Sequence, residues 1–237
     1  MKGGRGMKPI STAVIVAAGK GKRMGTEISK QFLPLGGKEI LAHTVEKFQQ
    51  AAAIRDIVLV TGVDSLQDVQ DMVQEYGWKK VVSVTAGGRE RQDSVYNGLK
   101  QVSEDTEIVL IHDGVRPFVT EEILEDSIAV ALEMGGCVAG VPAKDTIKVC
   151  NGENIAVATP DRSTLWQIQT PQTFRKDLIL QAYEAAKADG FIGTDDASLA
   201  EHSGYSVKVI MGSYRNIKIT TKEDMLIGEA FLKEETP

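Results

Sequence analysis

Lys20, Lys22, Arg23 and Lys30 fall within eleven residues, and Gly19, Gly21 and Gly25 are interleaved with them. Backbone N–H groups of a glycine-rich turn can point at phosphate oxygens, and the added side-chain cations suit a polyanion. The spacing is G-x-G-x-x-x-G, which differs from the dinucleotide fingerprint. No Gly-Lys-Ser/Thr closes the loop as in a Walker motif. This much positive charge fits a triphosphate better than the pyrophosphate of a dinucleotide. Further along, His112-Asp113-Gly114-Val115-Arg116-Pro117 ends an apolar run. A carboxylate such as Asp113 at the end of a core strand can hold Mg²⁺ against phosphates, and Arg116 can fork onto a second phosphate. Gly87–Ser94 (GGRERQDS) offers two glycines for close approach of a flat ligand and a hydroxyl, Ser94, for a base. Thr159-Pro160-Asp161-Arg162, Thr170-Pro171-Gln172 and Asn216-Ile217-Lys218 carry phosphate-capable side chains but are, each alone, ordinary loop or strand chemistry.

Other chemistries fit less well. His43, His112 and His202 lack metal-ligand spacing, and no partner for a nucleophile is evident. Cys137 lies in an apolar run, where a thiol behaves as a small hydrophobe, and Cys150 reads similarly. A short-chain dehydrogenase would place an acidic residue about 20 positions after the glycines to hold a ribose. Glu39 and Glu46 lie instead in a helical pattern, and Asp64 comes much later. The Tyr-x-x-x-Lys pair of such enzymes is matched only by Tyr76 and Lys80, at a helix end beside Gly77. A non-catalytic nucleotide-binding module is the third reading.

The elements that must position these groups alternate along the chain. Thr12–Ala17, Ile57–Thr61, Val81–Thr85 and Ile108–His112 are short runs with little polar alternation, as in strands covered on both faces. Between them, Ile40, Leu41, Thr44, Val45 and Phe48 form one helical stripe. Leu66, Val69, Met72, Val73 and Tyr76 form another, with Asp64 as its expected cap. Glu121–Met134 reads as a helix capped by Thr120. This order predicts an α/β fold: a doubly wound, mostly parallel sheet of Rossmann-like type, binding ligands beyond the carboxyl ends of its strands. The pattern breaks between Pro142 and Thr170. There Asp145–Cys150 and Ile155–Thr159 flank Asn151-Gly152-Glu153-Asn154, whose Asn-Gly pair signals a turn, and predict a projecting β-hairpin arm. Helix Arg175–Ala188, strands Val207–Met211 and Ile217–Thr220, and a helix from near Thr221 complete the reading.

Composition agrees with a folded enzyme or binding protein. The 237 residues are 42% hydrophobic and 25% charged, near the average for globular chains, and two cysteines cannot build a disulfide framework. Twenty-seven basic against 33 acidic residues give a net charge of −6, which disfavours general nucleic-acid binding, so any anion site must be a local cluster. No apolar run is long enough to span a bilayer, and no apolar core follows Lys2 and Arg5 as a signal peptide requires. A cytoplasmic location is expected.

The segments Ala17–Met24, Lys30–Leu33, Gly87–Ser94, His112–Pro117, Asp145-Thr146, Asp161-Arg162, Thr170–Gln172, Thr194–Ala197 and Asn216–Lys218 occur in one order. Together they resemble the 2-C-methyl-D-erythritol 4-phosphate cytidylyltransferase family over nearly the whole chain. The related ribitol-5-phosphate cytidylyltransferases are the alternative, and Thr194-Asp195-Asp196-Ala197-Ser198 looks more like the methylerythritol enzymes. The resemblance implies a nucleotidyltransferase fold over residues 1–237, with 143–165 as a dimerisation arm. It implies transfer of CMP from CTP to the sugar-alcohol phosphate, with Mg²⁺ and without a general base. It assigns Arg23, Lys30, Arg162 and Lys218 to catalysis, and Ala17, Ala18, Gly19, Gly88, Ser94 and Gly114 to the nucleotide. Asp113, Arg116, Thr146 and Thr170 are assigned to the acceptor substrate, with Asp113 also on the metal. Arg162 and Thr146 are expected to reach into a partner subunit's site, which implies a homodimer. Arg215 stands beside Asn216 where relatives carry an acidic residue, so the triphosphate itself is expected to supply most ligands to the metal.

Overall fold

A computed structural model describes residues 9–19 and 29–235 of the chain. Lys20, Lys22 and Arg23 therefore lie outside the described residues.

The strands are β1 (Ser11–Ala17), β2 (Pro34–Leu35), β3 (Lys38–Glu39), β4 (Asp56–Thr61), β5 (Val81–Ala86), β6 (Ile108–Asp113), β7 (Gly136–Pro142), β8 (Val149–Cys150), β9 (Ala156–Ala158), β10 (Trp166–Arg175) and β11 (Lys208–Met211). The helices are α1 (Ile40–Gln50), α2 (Leu66–Glu75), α3 (Arg91–Leu99), α4 (Glu121–Met134), α5 (Lys176–Asp189), α6 (Asp196–His202) and α7 (Lys222–Glu235). Seven strands form one sheet in the order β11-β7-β10-β6-β1-β4-β5. β1 pairs in parallel with both β4 and β6, β4 with β5, and β11 with β7; β10 alone runs antiparallel, between β6 and β7.

The sheet is buried on both faces, which explains the unalternating strands. Ala13 and Ile15 of β1 pack with α1, α2 and α4, while Val14 packs with α3, α5 and α6. Each such fully buried Val or Ile contributes about 1.5–3 kcal/mol. A smaller cluster of Leu35, Ile40, Val115, Phe118 and Ile219 joins α7 to the exit of β6. The chain leaves β1 toward β4 on one side and reaches β6 on the other. The β1–β6 gap is therefore the topological switch point, where open sheets of this kind form a ligand crevice.

Several expectations need correction. Asp64 does not cap α2: it lies in a 3-10 turn, Val63–Ser65, and Ser65 holds the N-cap position without a side-chain bond. Ile217–Thr220 is not a strand; a bond from the Ile219 N–H to the Val115 carbonyl, 2.9 Å, ties it down. The Thr170-Pro171-Gln172 run is no loop but the middle of β10, where register shifts between Ile168 and Gln172 around a residue with no N–H to give. The Thr194–Ala197 segment, read only for its family likeness, leads into a helix, α6. The hairpin exists with shorter strands, and its turn spans residues 151–154. Asn154 takes the left-handed conformation (φ 63°), and Asn151 Oδ1 accepts from the N–H groups of Glu153 and Ile155 at 3.0 Å each. Asx side chains favour this local capping, and the Asn154 N–H donates to the Asn151 carbonyl at 3.1 Å to close the turn over Gly152 and Glu153. Thr120 caps α4 as expected, its hydroxyl accepting from the Ile123 N–H at 3.4 Å.

Candidate active site

A cavity of about 440 Å³ opens at the switch point. Its wall takes Ala17, Ala18 and Gly19 from the end of β1, Lys30 and Gln31 from the following 3-10 turn, and Gly88–Arg91 with Ser94 from the start of α3. Asp113 from the end of β6 and Lys218 close the other side. Four cations, Lys30, Arg89, Arg91 and Lys218, face two carboxylates, Glu90 and Asp113. The chain is acidic as a whole, yet its crevice is cationic, which concentrates a polyanion there.

Asp113 is the centre of the charged cluster. Its side chain is 9% exposed; Lys218 Nζ lies 2.9 Å and Arg116 Nε 3.4 Å from Oδ2, and Arg91 Nε lies 3.6 Å from Oδ1. Burial alone would raise this carboxyl, but Lys218, Arg91 and Arg116 outweigh it and hold the group well below the usual carboxylate range. Asp113 is thus a fixed anion embedded in cations.

The backing of Asp113 is a chain of hydrogen bonds. Its N–H donates to Thr170 Oγ1 at 3.0 Å, and Thr170 Oγ1 lies 3.1 Å from His112 Nδ1. His112 Nε2 lies 3.1 Å from the Arg116 carbonyl, which can only accept, so Nε2 carries the proton and Nδ1 accepts from Thr170. Burial lowers the imidazole to about 4, so His112 is neutral at pH 7. Arg116 Nη1 donates to the Asn216 carbonyl at 2.8 Å, and Asn216 Nδ2 donates to the Thr170 carbonyl at 2.9 Å. These bonds pin the Asn216–Lys218 segment across the exit of β6.

The loop before α3 needs its glycines. A Cβ on Gly88 would sit 2.2 Å from Asp93 Cβ, and one on Gly87 2.5 Å from Ala18 Cβ. Only bare backbone lets this loop pass over the end of β1. Ser94 Oγ accepts from the Gly88 N–H and donates to the Glu90 carbonyl, each at 3.0 Å, so its proton is used and one lone pair remains. Gln31, 2% exposed, donates from Nε2 to the Ala17 carbonyl at 2.7 Å and ties the Lys30 turn to β1.

The structure brings Lys30, Lys218, Asp113, Ala17, Ala18, Gly19, Gly88 and Ser94 to one cavity. Arg116, Thr170 and Gly114 are adjacent but do not line it: the first two brace Asp113, and Gly114 is tucked under β1, its Cβ position 3.0 Å from Ala17 Cβ. Thr146 and Arg162 are exposed and away from this wall; Arg162 Nη1 donates to the Lys144 carbonyl at 2.8 Å. Arg215 turns toward α7, with Nη1 2.6 Å from Glu234 Oε2 and its guanidinium over Phe231. Residue reasoning did not single out Gln31, Arg89 or Arg91. Both arginines of the GGRERQDS motif line the crevice, but nothing in the spacing tells that Arg91 alone of the two reaches Asp113 and Asp196.

The fold and this cavity define an α/β protein of the nucleotide-handling class, with its anion site at the sheet's switch point. The sequence model of the family IspD, 2-C-methyl-D-erythritol 4-phosphate cytidylyltransferase, matches residues 11–234. Proteins of that name from Alkaliphilus oremlandii and Geotalea uraniireducens are 50% and 52% identical, covering 94% of this chain and 95% and 96% of their own. The crystal structure of 4-diphosphocytidyl-2C-methyl-D-erythritol synthase from Anaerococcus prevotii superposes with a TM-score of 0.84 at 35% identity, covering 95% of this chain and 97% of that one. The chain belongs to the 2-C-methyl-D-erythritol 4-phosphate cytidylyltransferase family.

Proposed function

We propose that this enzyme transfers CMP from CTP to 2-C-methyl-D-erythritol 4-phosphate and releases pyrophosphate. A phosphate oxygen of the acceptor attacks the α-phosphorus of CTP, and the bond from that phosphorus to the β-phosphate's bridging oxygen breaks. The attacking phosphate is already ionised at neutral pH, so no side chain need take a proton. What must be overcome is repulsion between two polyanions and charge growth at the reacting phosphoryl group. The observation that carries the reading is the cationic cavity at the β1–β6 switch point, with Lys30 on one wall and Lys218 beside Asp113 on the other.

Lys30, joined by Arg23 on the strength of the sequence, stabilises the triphosphate as charge develops. Lys218 orients the acceptor's phosphate, with Arg116 and Thr170 holding that wall. Ala17, Ala18, Gly19, Gly88 and Ser94 form the nucleoside pocket, with Gly114 packed beneath. The one spare lone pair of Ser94 Oγ accepts from an amino group and so favours cytosine over uracil. No cluster of three metal-ligating side chains occurs among the described residues. Mg²⁺ binds through one or two carboxylates plus phosphate oxygens and water. Asp113 would hold the ion, which when bound would neutralise phosphate charge.

The arm, residues 143–165, is proposed to dimerise the enzyme. A lone two-stranded hairpin is marginal in water. This one exposes Val149 (47%), Ile155 (56%) and Val157 (61%). A partner subunit would cover them and receive Arg162 and Thr146 in its cavity. Mixing a Lys30→Ala protein with an Arg162→Ala protein, each inactive alone, is expected to restore part of the activity; a mixture that stays dead refutes the shared site. No helix among the described residues is long and apolar enough to cross a membrane, and we place the enzyme in the cytoplasm.

Pyrophosphate release from CTP tests the assignment. Release with 2-C-methyl-D-erythritol 4-phosphate, at least tenfold faster than with ribitol 5-phosphate, is the expected result. Turnover of ribitol 5-phosphate alone, or of neither acceptor, overturns it.

A further inference from the structure

Arg91 presents an unusual division of labour. Its two terminal nitrogens are both spent on Asp196, Nη1 to Oδ1 at 2.9 Å and Nη2 to Oδ2 at 2.8 Å. The remaining Nε faces Asp113 Oδ1 at 3.6 Å, and the side chain lines the cavity. Asp196 is fully buried at the start of α6, and the Tyr183 hydroxyl, from α5, donates to its Oδ1. Tyr183 is 2% exposed and stacked on Tyr96 of α3, with ring centroids 5.9 Å apart. The anchor is therefore rigid at three levels: ring, carboxylate and guanidinium.

A buried ion pair of this kind adds little net stability, since desolvation consumes most of the attraction. What it does supply is orientation. A bidentate fork fixes the guanidinium plane, which a lone cation on a flexible stem cannot do. Lys218 and Arg116 both address Oδ2 of Asp113, and among the described residues Arg91 is the cation that faces Oδ1.

We propose that Asp196, backed by Tyr183, is a positioning residue for the transfer reaction: it clamps Arg91 so that the Nε edge faces Asp113 and the crevice. The inference rests on the cytidylyltransferase reading, which it deepens. Without the clamp, Arg91 keeps its charge but swings on its stem. The crevice then attracts polyanions at least as strongly, because a carboxylate has been removed, yet it no longer holds the reacting groups in register.

This yields a split that a mere helix-to-helix fastener would not produce. In Asp196→Asn, kcat should fall about tenfold, equivalent to ~1.4 kcal/mol, with the KM for CTP unchanged or lower. Tyr183→Phe, which keeps the ring packing, should lower kcat about threefold in the same pattern. Arg91→Gln should show the larger loss, and adding Asp196→Asn to it should cost less than a further twofold, because the two act as one unit. All are assayed below the melting transition, with circular dichroism confirming the fold. Wild-type kcat in folded Asp196→Asn and Tyr183→Phe, a rise in KM with kcat intact, or multiplicative losses in the double variant would overturn the proposal. Failure of the wild-type enzyme to release pyrophosphate would instead strike the reading on which it rests.

Discussion

Lys30→Ala is expected to lower kcat by about 10²–10³, the range seen when a donor to developing transition-state charge is removed. The cavity wall places Lys30 opposite Asp113 and Lys218, and the Gln31 bond to the Ala17 carbonyl holds the turn that carries it against β1. The alanine variant keeps that bond, so the turn should stay in place and the loss should be chemical. Single-turnover kinetics with saturating CTP separates the chemical step from binding. A folded variant within about threefold of wild type would remove Lys30 from the chemistry.

Asp113→Asn should be the most damaging single change, affecting both activity and stability. Arg116 is 9% exposed and has Asp113 Oδ2 at 3.4 Å, and Lys218 has it at 2.9 Å. Removing one partner of a buried pair typically costs about 3–5 kcal/mol, because the other charge is left uncompensated. Urea unfolding at pH 7 should show a loss of about 3 kcal/mol, with activity at least about 10²-fold down. The pH dependence gives a second check. The Asp113 carboxyl is held below its ordinary value of 3.8, so its stabilisation is present above that pH and is lost as pH falls further, through the folded value. The gap between wild type and Asn should therefore persist at pH 5 and narrow only in stronger acid. His112 acts in a different window. Burial lowers it from 6.5 to about 4, so the unfolded chain takes up the proton first, and both proteins should lose stability between those values. An Asn variant as stable as wild type at pH 7 would contradict this view of the cluster.

The sequence carried the site's framework because its physics is local. β1 and β6 are short β-branched runs, and each leads at its carboxyl end to a site segment, the bare backbone of Ala18-Gly19 and the carboxylate of Asp113. What it did not carry depends on distant pairing. β10 is written in Gln, Thr and Pro, and becomes a strand only because β6 and β7 flank it. Arg91 meets Asp196 from 105 positions away, so no spacing rule could join them. Arg116 and Thr170 read as substrate groups because their types bind phosphate; their hydrogen bonds to Asn216, His112 and the Asp113 backbone are a second use that no local pattern shows. The Asn-Gly pair marked the hairpin correctly, yet the capping side chain of Asn151 set its turn.

The transfer is expected to run on fixed positive charge, with no proton-shuttling side chain. The rate of CMP transfer in a single turnover, followed from pH 5.5 to 9, tests it most directly. The rate should rise once, with the second ionisation of the acceptor phosphate near pH ~6, and then stay level. A bell-shaped profile, with a second limb falling between pH 7 and 9, would show an essential acid among the side chains and contradict the claim.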